Sequence, residues 1–254
     1  MKLDTVSQPS PGYPGLGSTN GAHGAHGANA ASAANGVNGS HAENGLHRAV
    51  RTPKNLPARP ALATPLELMF EHNLLQHRRL FSQLSTLRPQ VCQAAVLMAD
   101  CLHRGGRLLF FGNGGSASDS QHLAAEFNGR LRQERVPLPA LALCADGATL
   151  TAIANDYGFE ELFARQLRAH ARPGDCVVAL STSGESANVL RGLATARSLG
   201  VLRVALLGRD GGAARQLADL ALVVPHQDTA RIQEAHMFIG HTLCGQIESA
   251  MGLV

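Results

Sequence analysis

Apolar residues are spaced along this chain in two ways, and the change from one to the other marks its architecture. From Leu66 they recur at helical intervals, through LELMFEHNLLQHRRLFSQLSTL and then PQVCQAAVLMADCLHRGG, which ends at a glycine pair. Beyond that point short apolar runs alternate with helical stretches. The runs are RLLFF (107–111), ALALC (140–144), CVVAL (176–180), LRVALL (202–207) and LALVV (220–224). Each is continuous rather than alternating, as in strands covered on both faces. The intervening pattern predicts helices near 117–131, 159–171, 186–198 and 211–217, with a long final one near 230–250. Five strands joined by helical crossovers form a parallel sheet. The expected fold is therefore α/β: a doubly wound, flavodoxin-like five-stranded parallel sheet with flanking helices. Ligands of such sheets bind beyond the carboxyl ends of the strands. That directs attention to the loops after Phe111, Cys144 and Leu180.

The first sixty or so residues break the pattern. Nine of the 27 glycines fall before residue 50, in stretches such as GSTNGAHGAHGANAASAANGVNGSHAENG. Such a segment lacks the large apolar side chains that offset the entropy of folding. Residues 1–62 are accordingly expected to be a disordered Gly/Ala/Asn/His-rich tail, closed by RTPKNLPARPALATP, with the folded domain over 63–254. Its histidines, His23, His26, His41 and His47, are expected to bind metal only adventitiously. A hydrophobic content of 44% supports a real core, and a formal charge of +3 with no basic stripe is too small to argue for nucleic-acid binding. The cysteines (Cys92, Cys101, Cys144, Cys176 and Cys244) form no CxxC and mostly sit in apolar runs, so they read as buried free thiols of a reducing compartment. MKLDTVSQPSPGYPG has no signal-peptide core, and no later segment approaches a membrane span. The expected location is the cytoplasm.

Two loops carry the chemistry of an anion site. GNGGS (112–116) follows the first strand and opens a helix, where glycines let backbone amides face a ligand and the helix N-terminus favours negative charge. A tight strand-to-helix turn without a ligand would look the same. STSGES (181–186) is more specific: Ser181, Thr182, Ser183 and Ser186 crowd one glycine at a helix start, and a helix cap uses one hydroxyl, not four. Neither loop reads GxxxxGK[ST], and the first lacks GxGxxG, which disfavours an ATPase and a dinucleotide enzyme. A small phosphorylated ligand held by hydroxyls and amides fits both.

His122 and Glu126 are four apart on the helix opened by GNGGS and share a face, with Leu123, Ala124 and Ala125 as apolar neighbours. They read either as a solvated pair or as donors to one divalent metal. The last helix carries Gln233, Glu234, His236 and His241 in ARIQEAHMFIGHTLCGQIE. Gln233 and His241 are eight apart, which is about 80° in phase and about 12 Å along a regular helix. They share a broad face but do not grip one atom without a helix irregularity, long reach or a neighbouring subunit. A buried, satisfied histidine and a catalytic one both remain open at this spacing.

Taken together, GNGGSASDSQHLAAEFNGRL, AIANDYGF, STSGESANV, GRDGG and ARIQEAHMFIGH resemble, in order, the bacterial sedoheptulose 7-phosphate isomerases. These phosphoheptose isomerases are built on the sugar isomerase (SIS) domain. The resemblance runs from about residue 66 to the end. It implies an aldose–ketose isomerase that converts sedoheptulose 7-phosphate to D-glycero-D-manno-heptose 7-phosphate through an enediol, toward the heptose of lipopolysaccharide or capsule. It further implies a cytoplasmic homotetramer with one zinc per subunit. By the family pattern, Glu126 and His241 are catalytic, and His122, Glu126, Gln233 and His241 are metal ligands. The same pattern assigns Asn113, Gly114, Gly115, Glu126, Asn155, Asp156, Ser181, Thr182, Ser183, Ser186 and Gln233 to the substrate. An alternative comes from a neighbouring branch, a non-catalytic SIS-domain regulator that binds the replication initiator protein and shares TAIAND and RIQE-H. That branch lacks the acidic residue of the helix pair and the final histidine, and both are present here as Glu126 and His241. An isomerase of another phosphosugar is the third reading.

Overall fold

The structure is a computed structural model that describes residues 64–254. The tail expected over 1–62 lies outside the described residues. The first described turn shows how the chain enters the fold. Thr64 caps helix α1 (Pro65–Gln83), its hydroxyl accepting from the Glu67 amide while the Glu67 carboxylate accepts from the Thr64 amide at 2.8 Å. Pro65 occupies the first helical position, where its missing N–H costs nothing. Helix α2 (Arg88–His103) follows after a single tight turn of helix and ends before Gly105, which takes φ +82°.

The alternating part of the chain forms strands β1 (Leu108–Gly112), β2 (Ala140–Ala142), β3 (Cys176–Ser181), β4 (Leu202–Gly208) and β5 (Leu220–Val224). They pair in the order β2-β1-β3-β4-β5, every pair parallel. The flanking helices are α3 (Gly115–Asn128), α4 (Gly147–Tyr157), α5 (Leu162–His170), α6 (Ala187–Ser198), α7 (Ala214–Leu217) and α8 (Thr229–Ala250). Successive side chains of β1 point to opposite faces. Phe110 packs on Phe127 of α3, ring centroids 5.8 Å apart, and Phe111 on Phe163 of α5 at 4.9 Å. One strand thus anchors helices on both sides of the sheet, and all residues of β1 and β3 are buried.

Three expectations need correction. The run ALALC is a strand only to Ala142, and as an edge strand it is not covered on both faces: Leu141 is 41% exposed. Residues 147–157, where the pattern predicts no helix, are helix α4, capped by the Asp146 carboxylate accepting from the Ala148 amide at 3.0 Å. Cys92 is exposed, while Cys101, Cys144, Cys176 and Cys244 are buried free thiols as expected. Burial raises those four above the usual thiol range, Cys101 to about 11 and Cys244 to about 12. They are packing residues rather than nucleophiles.

Candidate active site

The strand order reverses between β1 and β3, and the two glycine- and serine-rich loops leave the sheet at that switch point. Between them lies a cavity of about 290 Å³ lined by Asn113, Gly114, Gly115, Ser181, Thr182 and Ser186, with Thr229 and Gln233 closing it from α8. The N-termini of α3, α6 and α8 therefore converge on one small polar space. Each presents a positive dipole end, and α3 and α6 have no side-chain cap on their first amides, the environment an anion such as a phosphate requires; on α8 the Asp228 carboxylate already accepts from the Ala230 amide. Ser186 takes the N-cap position of α6, yet its hydroxyl makes no cap hydrogen bond. Ser181 serves the loop itself, its hydroxyl accepting from the Gly184 amide at 3.0 Å. Ser183 accepts from the Glu185 amide at 3.2 Å and does not line the cavity. A larger groove of about 400 Å³ lies between α1 and α8, lined by apolar residues such as Phe81, Leu84 and Phe238. It offers no convergent helix N-termini, so the smaller polar cavity is the better candidate for an anionic ligand.

Asn113 is held in place by a residue that sequence reasoning missed. Its amide and that of Asn188 on α6, buried at 1% exposure, exchange two hydrogen bonds of 2.8 Å. The pair joins the first turns of the two loops across the switch point. Polarity at an interior helix position was the available signal, because Asn188 sits two residues past Ser186 in STSGESAN.

The eight-residue separation of Gln233 and His241 is met by two levels of a neighbouring helix rather than by an irregularity in α8. Gly115 faces Gln233, Leu123 faces Gly240 and His122 faces His241, so α3 and α8 run side by side in the same direction. A Cβ at Gly115 would collide with the Gln233 side-chain amide, so that glycine admits Gln233 to the cavity. Two turns further along, His122 Nε2 lies 3.0 Å from His241 Nε2 and 3.2 Å from Glu126 Oε1. Among the described residues these three offer ligand atoms within 4.8 Å of one another. Tetrahedral ligands at zinc bond lengths of ~2.0–2.1 Å stand about 3.3 Å apart, so two imidazole nitrogens and a carboxylate oxygen at this spacing fit one such cation. The donor set, two histidines and one carboxylate, is also of the type that zinc takes in catalytic sites. Gln233 remains at the cavity. The His122 side chain is half exposed and that of Glu126 one-fifth exposed, so the cluster opens to solvent in the single chain. Leu123 and Ala124 are buried beneath it, while Ala125 is exposed.

Two further groups belong to this neighbourhood. Asp119 stands one turn before His122 with its Oδ2 buried and unpartnered; burial pushes its carboxyl up, His122 partly offsetting that. Asn155 and Asp156 lie exposed at the end of α4, joined by a 2.8 Å hydrogen bond from the Asn155 amide to the Asp156 carboxylate, and outside the cavity. His236 is the buried histidine of α8, and His241 the one that meets other polar groups.

Comparison with known proteins agrees with this geometry. Residues 74–208 match the SIS domain family. A phosphoheptose isomerase of Rhodospirillum rubrum is 49% identical over 171 residues, covering 67% of this chain and 91% of its own. Another, from Paramagnetospirillum magneticum, is 55% identical over 160 residues, covering 63% and 82%. Among solved structures, the phosphoheptose isomerase GmhA from Neisseria gonorrhoeae is 42% identical with a TM-score of 0.69, over 72% of this chain and 99% of that one. With the SIS family match and these identities over most of the relatives' length, the chain belongs to the phosphoheptose isomerase family of SIS-domain proteins.

Proposed function

We propose that the protein isomerises sedoheptulose 7-phosphate to D-glycero-D-manno-heptose 7-phosphate. The observation that carries this reading is the meeting of Glu126 and His241, from two different helices, next to a cavity framed by three helix N-termini. The presence and convergence of these two side chains also favour an enzyme over the non-catalytic regulator, whose branch lacks both.

The phosphate is assigned to the cavity, where amides of the loop after β3 and the hydroxyls of Thr182 and Ser186 compensate its charge. Glu126 takes the proton from C1 of the open-chain ketose while His241 protonates the C2 oxygen, giving the enediol. Glu126 then returns a proton to C2 and His241 accepts the C1 hydroxyl proton, leaving the aldehyde. A positioned acid or base contributes typically ~10²–10⁴-fold to such a step. Zinc, one ion per subunit held by His122, Glu126 and His241, supplies Lewis acidity toward the carbonyl oxygen when bound. Gln233 is assigned first to the substrate, because its amide lies at the cavity; as a fourth metal ligand it would have to swing toward the cluster. Asn155 and Asp156 are assigned to the substrate by the family pattern, and their exposure on α4 leaves them available to it.

The same proposal places the protein in the cytoplasm as a homotetramer supplying heptose for lipopolysaccharide or capsule. Among the described residues no helix is long and apolar enough to cross a membrane. Leu66, Met69 and Phe70 of α1 share one side of the helix and are each more than half exposed, an apolar face suited to a second copy. Light scattering checks the mass of the assembly.

The deciding experiment incubates the purified protein with sedoheptulose 7-phosphate and follows the aldose by NMR. Product is expected, diminished by a chelator and restored by zinc; a zinc-replete protein that forms no aldose sinks the reading. A second prediction concerns the serine loop. Gly184 has φ +69°, and a Cβ there would collide with the backbone of Gly211. Forcing a side chain into that conformation costs about 1–2 kcal/mol. Gly184→Ala is therefore expected to raise KM about tenfold with a smaller change in kcat, measured by initial rates.

A further inference from the structure

The helices that carry the three donors are joined beneath the cluster by one buried guanidinium. Arg135 lies in the segment between α3 and β2, with its side chain 1% exposed. Its Nη2 donates to the Glu126 carbonyl at 2.8 Å, and its Nη1 to the carbonyls of Phe127 and Gly129, each at 2.8 Å, and of Val136 at 3.1 Å. Its Nε donates at 2.8 Å to Oε1 of Glu248 on α8, a carboxylate 3% exposed. The carbonyls at the end of a helix have no intrahelical partner, and a cation there also meets the negative end of the dipole. Arg135 thus caps α3 at the peptide of Glu126 itself and ties that cap to α8.

Where the tie falls matters. Seven residues separate His241 from Glu248, which turns a helix to within about 20° of the same face. Glu248 therefore stands two turns beyond His241 on the side that looks at α3. Level with the cluster Leu123 packs against Gly240, where any Cβ would collide with the leucine. A close apolar contact beside the donors and a planar ionic one two turns further along α8 together set the spacing of α3 and α8. A buried ion pair is weak as a source of stability, because desolvation offsets most of its attraction. What a guanidinium adds is geometry, since its fixed fork holds several acceptors at defined angles.

We propose that Arg135 and Glu248 are positioning residues for the metal and proton-transfer cluster, holding the peptide of Glu126 at the distance from α8 at which His122, Glu126 and His241 share one cation. This rests on the isomerase reading of that cluster, but its test does not depend on turnover. Zn²⁺ affinity is measured on the full chain by competition with a chelating indicator, together with Tm, for the unaltered protein, Glu248→Gln, and the double variant Arg135→Met/Glu248→Leu. The histidines at 23, 26, 41 and 47 are common to all three and drop out of the comparison. Glu248→Gln is expected to bind Zn²⁺ about tenfold more weakly or worse, as outer-shell changes do. The double variant removes both buried charges and is expected to recover Tm, as apolar replacements of such pairs often do. Its zinc affinity should stay depressed, because the carbonyls of Glu126 and Gly129 then lose the guanidinium and that of Phe127 keeps only the Leu138 amide. Wild-type zinc affinity in either folded variant overturns the proposal. Failure of the isomerase reading looks different: there the unaltered protein forms no aldose, whatever its variants do with zinc.

Discussion

Glu126→Gln is expected to lower kcat for sedoheptulose 7-phosphate by about 10²-fold or more, the lower end of what one positioned base contributes. The glutamine has the size of the glutamate and keeps an acceptor oxygen, so the fold has no reason to change. Among the described residues Glu126 makes no buried ion pair; its carboxylate lies 3.2 Å from His122 and within 4.8 Å of the His241 ring. Its backbone carbonyl, which Arg135 holds, is untouched by the substitution. KM should move little, because the phosphate cavity is built from β1, β3 and the starts of α3, α6 and α8, two turns away. Glu126 is also a donor of the cluster, so the assay is run at saturating zinc to separate loss of a base from loss of metal. A variant that retains more than about a tenth of the wild-type kcat under those conditions removes Glu126 from the base role.

How much of this arrangement was legible beforehand depends on which face of the chain was informative. The five strands were readable because central parallel strands are buried on both sides, and runs such as CVVAL have no other use in a chain of this kind. Helix α4 was not readable for the opposite reason. None of its residues is fully buried in the single chain, and in GATLTAIANDY only Leu150 and Ile153 lean on the core, too few to mark a helical stripe. The serine loop was legible because four hydroxyls exceed the needs of a cap. In the structure the N-cap hydroxyl does not cap at all. The eight-residue gap between Gln233 and His241 was a tension only while α8 was considered alone. Its resolution needed the direction and closeness of α3, which depend on Gly115 and Gly240 and have no signature in either helix separately. Arg135 was invisible for the same reason. A lone arginine in RLRQERVP reads as solvated, and only the fold brings Glu248 to it from 113 residues away.

The second large effect concerns pH, through a histidine that the chemistry does not use. His236 is completely buried on α8, and neither ring nitrogen makes a hydrogen bond of good geometry. Burial holds its pKa at about 4 against an ordinary 6.5, with the backbone of Leu207 only partly offsetting the desolvation. The folded state therefore keeps the ring neutral over a range in which the unfolded chain takes up a proton. For a depressed pKa the stabilising contribution is complete above pH 6.5, shrinks as the pH falls, and is gone below about pH 4. Each pH unit within that window costs about 1.4 kcal/mol, so the whole descent removes about 3 kcal/mol. His236→Leu abolishes this dependence. Because the ring has no well-formed hydrogen bond to lose, only a weak approach to the Leu207 backbone, the exchange should cost less than about 1.5 kcal/mol at pH 7.5, within the range of a shape-conserving core substitution. Urea unfolding of both proteins at one protein concentration, from pH 7.5 to pH 4.5, isolates the effect, since every carboxylate titrates alike in the two. The wild type should lose about 2–3 kcal/mol more than the variant over that range. Parallel stability curves would show that His236 is already protonated in the fold or reached by water, and that α8 tolerates a charge at its most buried position.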